Sequence, residues 1–267
     1  MNLLNSLKEQ KRYRYLLHFL VVTISIFIYS LGKIKFDAMY LAVLTVFLVF
    51  LGALLTQFPS IDYKNVLYIL INPISVISGA LMFYNFFPNL GIIFKTLSVV
   101  VFGIFYYLVS LVDNVFLVIH DREEVIPLYR AAAAWSQIMQ VIVAIPLFSG
   151  IFKLNINGIY QSVIVGVISF IYVVYQIWTS RYDKDSKSVR VGEEIFLASL
   201  GFFVVTAIST VVTFVPTEAF LRALLVAVVL MFVLSYVASY LRNDINRKMM
   251  VQFTLLFCIF LVLVLVF

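Results

Sequence analysis

The sequence predicts an all-α fold, a polytopic integral membrane bundle of about nine transmembrane helices, or eight if the two runs around Pro216 form one broken segment. Three observations carry this. Of 267 residues, 64% are hydrophobic and 12% charged. Soluble domains run at about 45–50% apolar, counted over a slightly different residue set, and about 25% charged. The apolar residues form continuous runs of about twenty, the length a helix needs to cross a hydrocarbon core of ~30 Å. The alternating ten-residue segments that a transmembrane barrel requires do not occur.

Taken in order, the first run is Tyr15–Leu31. It follows a basic segment and ends in Tyr29-Ser30-Leu31-Gly32-Lys33 without a small-x-small cleavage site, so it reads as an uncleaved span. Ala38–Thr56 closes before Pro59, and Asn65–Phe87 carries Asn72-Pro73 inside it. Thr96–Ile119 and Val125–Phe152 flank a short acidic turn. Gly158–Thr179 precedes the longest polar link, Arg181–Glu193. Glu194–Val215 and Glu218–Leu241 meet around Pro216, and their combined length favours two spans. The last run, Met249–Phe267, has no polar cap after it. The expectation is one transmembrane domain over 1–267, with no soluble domain.

Basic residues set the expected orientation. With the N-terminus in, 14 of the 19 lysines and arginines fall on the cytoplasmic side, leaving Lys33, Lys35, Lys95, Lys153 and Arg222 outside. The C-terminus is then out. Tyr13, Tyr15, Tyr40, Tyr63, Tyr160, Tyr182 and Tyr240 fall near run edges, where an amphipathic ring suits the headgroup layer. The net charge of +6 sits in short caps between apolar runs, which argues for a membrane and against nucleic acid. One cysteine, Cys258, and two histidines leave no intrachain disulfide and too few ligands for a zinc site. No cofactor or metal is expected.

The stretch Leu111–Gln140 is where charge enters apolar sequence from both sides. If the runs around His120-Asp121-Arg122-Glu123-Glu124 fold back on each other, Asp113 and Arg130 fall at matched depth, about 10 Å below the turn. That spacing predicts an intramembrane ion pair, with Asn114 adding a hydrogen bond. Such a pair is either a proton, ion or substrate contact or a clamp fixing the hairpin. Gln137 and Gln140 share a face with Ser136 nearby, a polar stripe that lines a path or glues helices. Asn72 and Pro73 mark either a discontinuous helix of the kind found at substrate sites or a simple kink. Glu218 and Arg222 have the i, i+4 spacing of a surface salt bridge. Thr206, Ser209, Thr210 and Thr213 offer interhelical hydrogen bonds.

Hydrolase and phosphate-loop signatures are missing, and Asp113 has no second intramembrane aspartate to pair with. Between Val112 and Ala132, the order Asn-Val-Phe, a polar turn, then Ile-Pro-Leu-Tyr-Arg-Ala-Ala resembles a domain-of-unknown-function family of small polytopic bacterial membrane proteins. Leu-Ser-Tyr-Val in the eighth run is similar in placement, while the acidic turn departs from the pattern. The resemblance implies no activity and a multi-pass inner-membrane setting. The functional expectation is a non-enzymatic integral membrane protein, either an assembly partner or a small-solute carrier, in contact with the bilayer and with membrane proteins or further copies of itself. The alternative is an enzyme acting on a lipid or polyprenyl substrate at the cytoplasmic face. His120, Asp121 and Glu124 would then be acid/base groups beside Arg122 as a phosphate contact.

Overall fold

A computed structural model describes residues 2–31, 38–57, 65–122 and 128–266, and every regular element among them is an α-helix. In chain order these are α1 (Asn2–Leu31), α2 (Ala38–Gln57), α3 (Val66–Phe86), α4 (Ile92–Arg122), α5 (Tyr129–Phe152), α6 (Gly158–Ser180), α7 (Val191–Thr213), α8 (Ala219–Leu241) and α9 (Arg247–Val266). Among the described residues eight are long and apolar enough to cross a membrane, and α2 presents an apolar stretch over Ala42–Gln57. The chain is a multi-pass membrane protein.

Local chemistry explains several boundaries. Asn157 Oδ1 accepts from the Ile159 amide at 3.0 Å and starts α6 as a side-chain cap. Asn246 Oδ1 does the same for the Lys248 amide at 2.9 Å at the head of α9. The helix α8 stops at Asn243, whose φ of 53° is left-handed. There the Asn243 amide donates to Tyr240 O at 3.2 Å and the Asp244 amide to Ser239 O at 2.9 Å, a Schellman closure. The run pair around Pro216 is two helices, α7 ending at Thr213 and α8 beginning at Ala219. By contrast α3 continues through Pro73, so the discontinuous helix considered for Asn72-Pro73 is not formed. Proline there removes only the amide that would meet the Ile69 carbonyl.

Two compact units divide the chain at the acidic turn, Met1–Glu123 and Glu124–Phe267. In the first, α1 packs on α2, α3 and α4, and α3 packs on both α2 and α4. Its core includes Val22, Ile26, Val49, Ile69, Ile77, Phe116 and Leu117. In the second, α8 is the hub, in contact with α5, α6, α7 and α9. The α6/α7 pair is close because small residues on α6 admit threonines of α7. A Cβ at Gly166 would stand 1.9 Å from Thr206 Oγ1, and one at Gly158 would stand 2.3 Å from Thr213 Cγ2. Ser162 and Thr213 hydroxyls meet across the same seam at 3.3 Å. The outermost helix, α9, leans on α8 through Leu225 and Val264 and turns Leu255, Ile259, Val262 and Leu265 outward to lipid.

Candidate functional site

The 31-residue helix α4 carries Tyr106, Ser110 and Asp113 at spacings of four and three, which places them on one helical face. All three are buried, and Asp113 has no exposed surface. Each of the other helices of the first unit brings polar side chains to this face. From α3, Asn72 Nδ2 donates to Asp113 Oδ1 at 3.4 Å. From α2, Gln57 Nε2 donates to the Ser110 carbonyl at 3.3 Å, while its Oε1 accepts from the Tyr15 hydroxyl of α1. Also from α1, His18 Nδ1 and the Tyr106 hydroxyl share a hydrogen bond of 3.1 Å, their rings edge to face with centroids 5.4 Å apart. The His18 imidazole lies over Gly52, where a Cβ would come within 1.7 Å of its Nε2. Both Tyr15 and Tyr106 lie within Coulombic range of Asp113.

Neutral amide and phenol groups beside a buried carboxylate spread its charge rather than cancel it. Groups of this kind can keep a carboxylate, a protonated carboxyl or a small cation with little rearrangement, since an amide and a phenol each offer both donor and acceptor. No group of three or more metal-ligating side chains gathers among the described residues.

The structure brings Asn72 and Asp113 together, and both were legible as candidates. Asp113 and Arg130, expected as a pair, fall in different compact units. The helix α5 is described from Tyr129, which places Arg130 in its first turn. There it is exposed, and its Nη2 pairs with Asp185 Oδ2 at 2.9 Å. Asp113 lies nine residues before the end of α4 and takes its hydrogen bond from Asn72. Each residue of the expected pair thus finds a partner in its own unit. A guanidinium keeps its charge at any ordinary pH and is accommodated best near water.

The other candidates separate by burial. Gln137 Nε2 donates to Ser235 Oγ at 2.6 Å, joining α5 to α8, and Gln140 and Ser136 are buried. Asn114 is half-buried on the neighbouring face of α4. At the end of α4, His120 is exposed. The side chains of Asp121 and Arg122, and all of Glu123 and Glu124, lie outside the described residues. Glu218 and Arg222 form no salt bridge; the Glu218 carbonyl instead accepts from the Arg222 amide at 3.1 Å.

Sequence reasoning missed one polar assembly altogether. The link between α6 and α7 is a clasp of ion pairs. Arg181 meets Glu194, Arg242 Nε meets Asp183 at 2.8 Å, and Lys187 Nζ meets Glu193 at 2.7 Å. The Lys187 ammonium also stands 3.6 Å from the centre of the Tyr240 ring, and the Tyr240 hydroxyl donates to Glu193 at 3.0 Å. Hydrogen bonding to Glu193 and then to Tyr240 raises the Lys187 pKa above its ordinary value. The signal was the alternation of acids and bases between Arg181 and Glu194; which acid meets which base depends on how α6, α7 and α8 pack.

The chain matches no family model, no curated protein and no solved structure.

Proposed function

We propose that this chain is a non-enzymatic carrier in which Asp113 takes up and releases a proton or a small monovalent cation as a solute passes. The observation that supports it is the fully buried Asp113 on a polar face built by all four helices of one unit. An ionisable side chain inside a membrane-spanning helix is costly, by about 3 kcal/mol on the lenient insertion scale, and such groups mark ion and proton paths. A clamp would need only a neutral amide there. The resemblance at Val112–Ala132 supports a bacterial inner membrane as the setting, and the lysine and arginine bias supports a cytoplasmic N-terminus.

The test is flux. Purified protein in liposomes, with a pH-sensitive dye inside, should dissipate an imposed pH gradient faster than empty vesicles. Asp113→Asn should abolish that excess while leaving the protein folded. Equal rates for wild type and Asp113→Asn would remove the carrier reading and leave an assembly role. The enzyme reading is separated by alanine at His120, Asp121 and Glu124 together, which the carrier tolerates and an enzyme at that turn does not.

A further inference from the structure

Between α1 and α2 a groove of about 630 Å³ opens at the surface of the first unit. That volume lies within the roughly 300–1,000 Å³ of small-molecule sites. Leu17 and Leu55 form its apolar walls, both largely exposed, and His18 and Gly52 form its floor. Tyr13 and Arg14 stand at one end, at the first residues of the membrane-spanning part of α1. An apolar channel that ends in an aromatic ring and a guanidinium, at the level where headgroups lie, has the polarity of one lipid molecule. In the sequence Lys8, Lys11 and Arg12 precede the span as well. Basic residues clustered just outside a span attract anionic headgroups.

We infer that the α1/α2 groove is a binding site for one anionic phospholipid, with an acyl chain between Leu17 and Leu55 and the phosphate beside Arg14. The shape of the floor explains the position of Gly52. Any larger residue would push His18 off α2 and close the groove against its own wall. The groove shares His18 with the polar face around Asp113, so its test is placed on Arg14 and Leu55 and read by lipid binding rather than by flux.

Native mass spectrometry of the full chain in detergent tests this, with phosphatidylglycerol, phosphatidylcholine and inorganic phosphate as probes. One phosphatidylglycerol should remain bound per chain, about fivefold tighter than phosphatidylcholine, the worth of one basic group near an anionic head. Arg14→Gln should erase that preference, and Leu55→Trp should fill the groove and lose both lipids. Leu67→Trp, at another exposed leucine, should change neither. Equal retention of both lipids by wild type and Arg14→Gln, or unaltered binding in Leu55→Trp, would show ordinary annular lipid and overturn the site. Binding of inorganic phosphate with the same Arg14 dependence would overturn it also, because the apolar walls would then contribute nothing.

Discussion

The two units handle polarity in opposite ways. The first buries a carboxylate, Asp113, on a face of α4 where Asn72 donates to it and α1 and α2 also bring polar side chains. The second keeps neutral side chains such as Ser162, Ser169, Gln140 and Gln176 in its interior, and its buried acids, Asp183 and Glu194, lie in ion pairs at one end. A charge in an interior needs a reason, since pairing it at the water boundary is cheaper. The second unit shows that this chain can place its charges at the boundary. Asp113 is therefore the exception that asks for a function.

The largest effect should come from the steric seam of the second unit. Gly166→Leu forces α6 from α7 and should cost about 3 kcal/mol or prevent folding, read by thermal unfolding in detergent. Gly192→Ala, where nothing lies within 4 Å, should be neutral or stabilising by up to about 1 kcal/mol. Equal effects at both glycines would mean that close packing does not hold that unit.

Next in size are the polar contacts, one in each unit. Asn72→Leu removes one amide donor from the Asp113 carboxylate and should cost about 2 kcal/mol. Adding Asp113→Asn should recover part of that loss, because the two residues share one contact. Strict additivity would break the first half of the comparison. In the second unit, Asp183→Asn should cost about 1.5 kcal/mol, since Arg242 is half-exposed and partly rescued by water. Lys187 sharpens the same point through pH. Its pKa is raised on folding, so its stabilisation is complete below the ordinary lysine value, about 10.4, and is lost as pH rises through the folded value. The advantage of wild type over Lys187→Met in unfolding midpoint should hold across neutral pH and vanish only in strong alkali.

Composition and run length made the helices legible, because a bilayer leaves a continuous apolar run few other options. The α7/α8 break at Pro216 was readable for the same reason. Asp113 and Asn72 stood out as polar groups in apolar sequence, yet their meeting was not readable, since 41 residues separate them and helix rotation decides it. Tyr15 read as a headgroup-layer ring, and Gln57 and His18 drew no notice, because each sits near a span edge, where an amphipathic side chain is unremarkable. The start of α5 mattered most. The expected run began at Val125 and α5 is described from Tyr129, a shift that sets Arg130 in the first turn beside a surface partner, Asp185.

The smallest expected effect is at Arg130 itself, and it tests that shift directly. Arg130 and Asp185 are both well exposed, 75% and 66%, although their contact is only 2.9 Å long. Water screens such a pair, and holding two mobile side chains together offsets most of the attraction, so the median exposed pair is worth about 0–1 kcal/mol. Arg130→Gln should therefore lower stability by less than about 0.5 kcal/mol, and Asp185→Asn by a similar amount. Raising salt from low to molar concentration should remove even this difference, because screening reaches full strength over a few ångströms there. A loss of 3 kcal/mol or more, insensitive to salt, would mean that Arg130 compensates a buried charge after all. The contrast between an interior carboxylate in one unit and boundary ion pairs in the other would then have to be redrawn around Arg130.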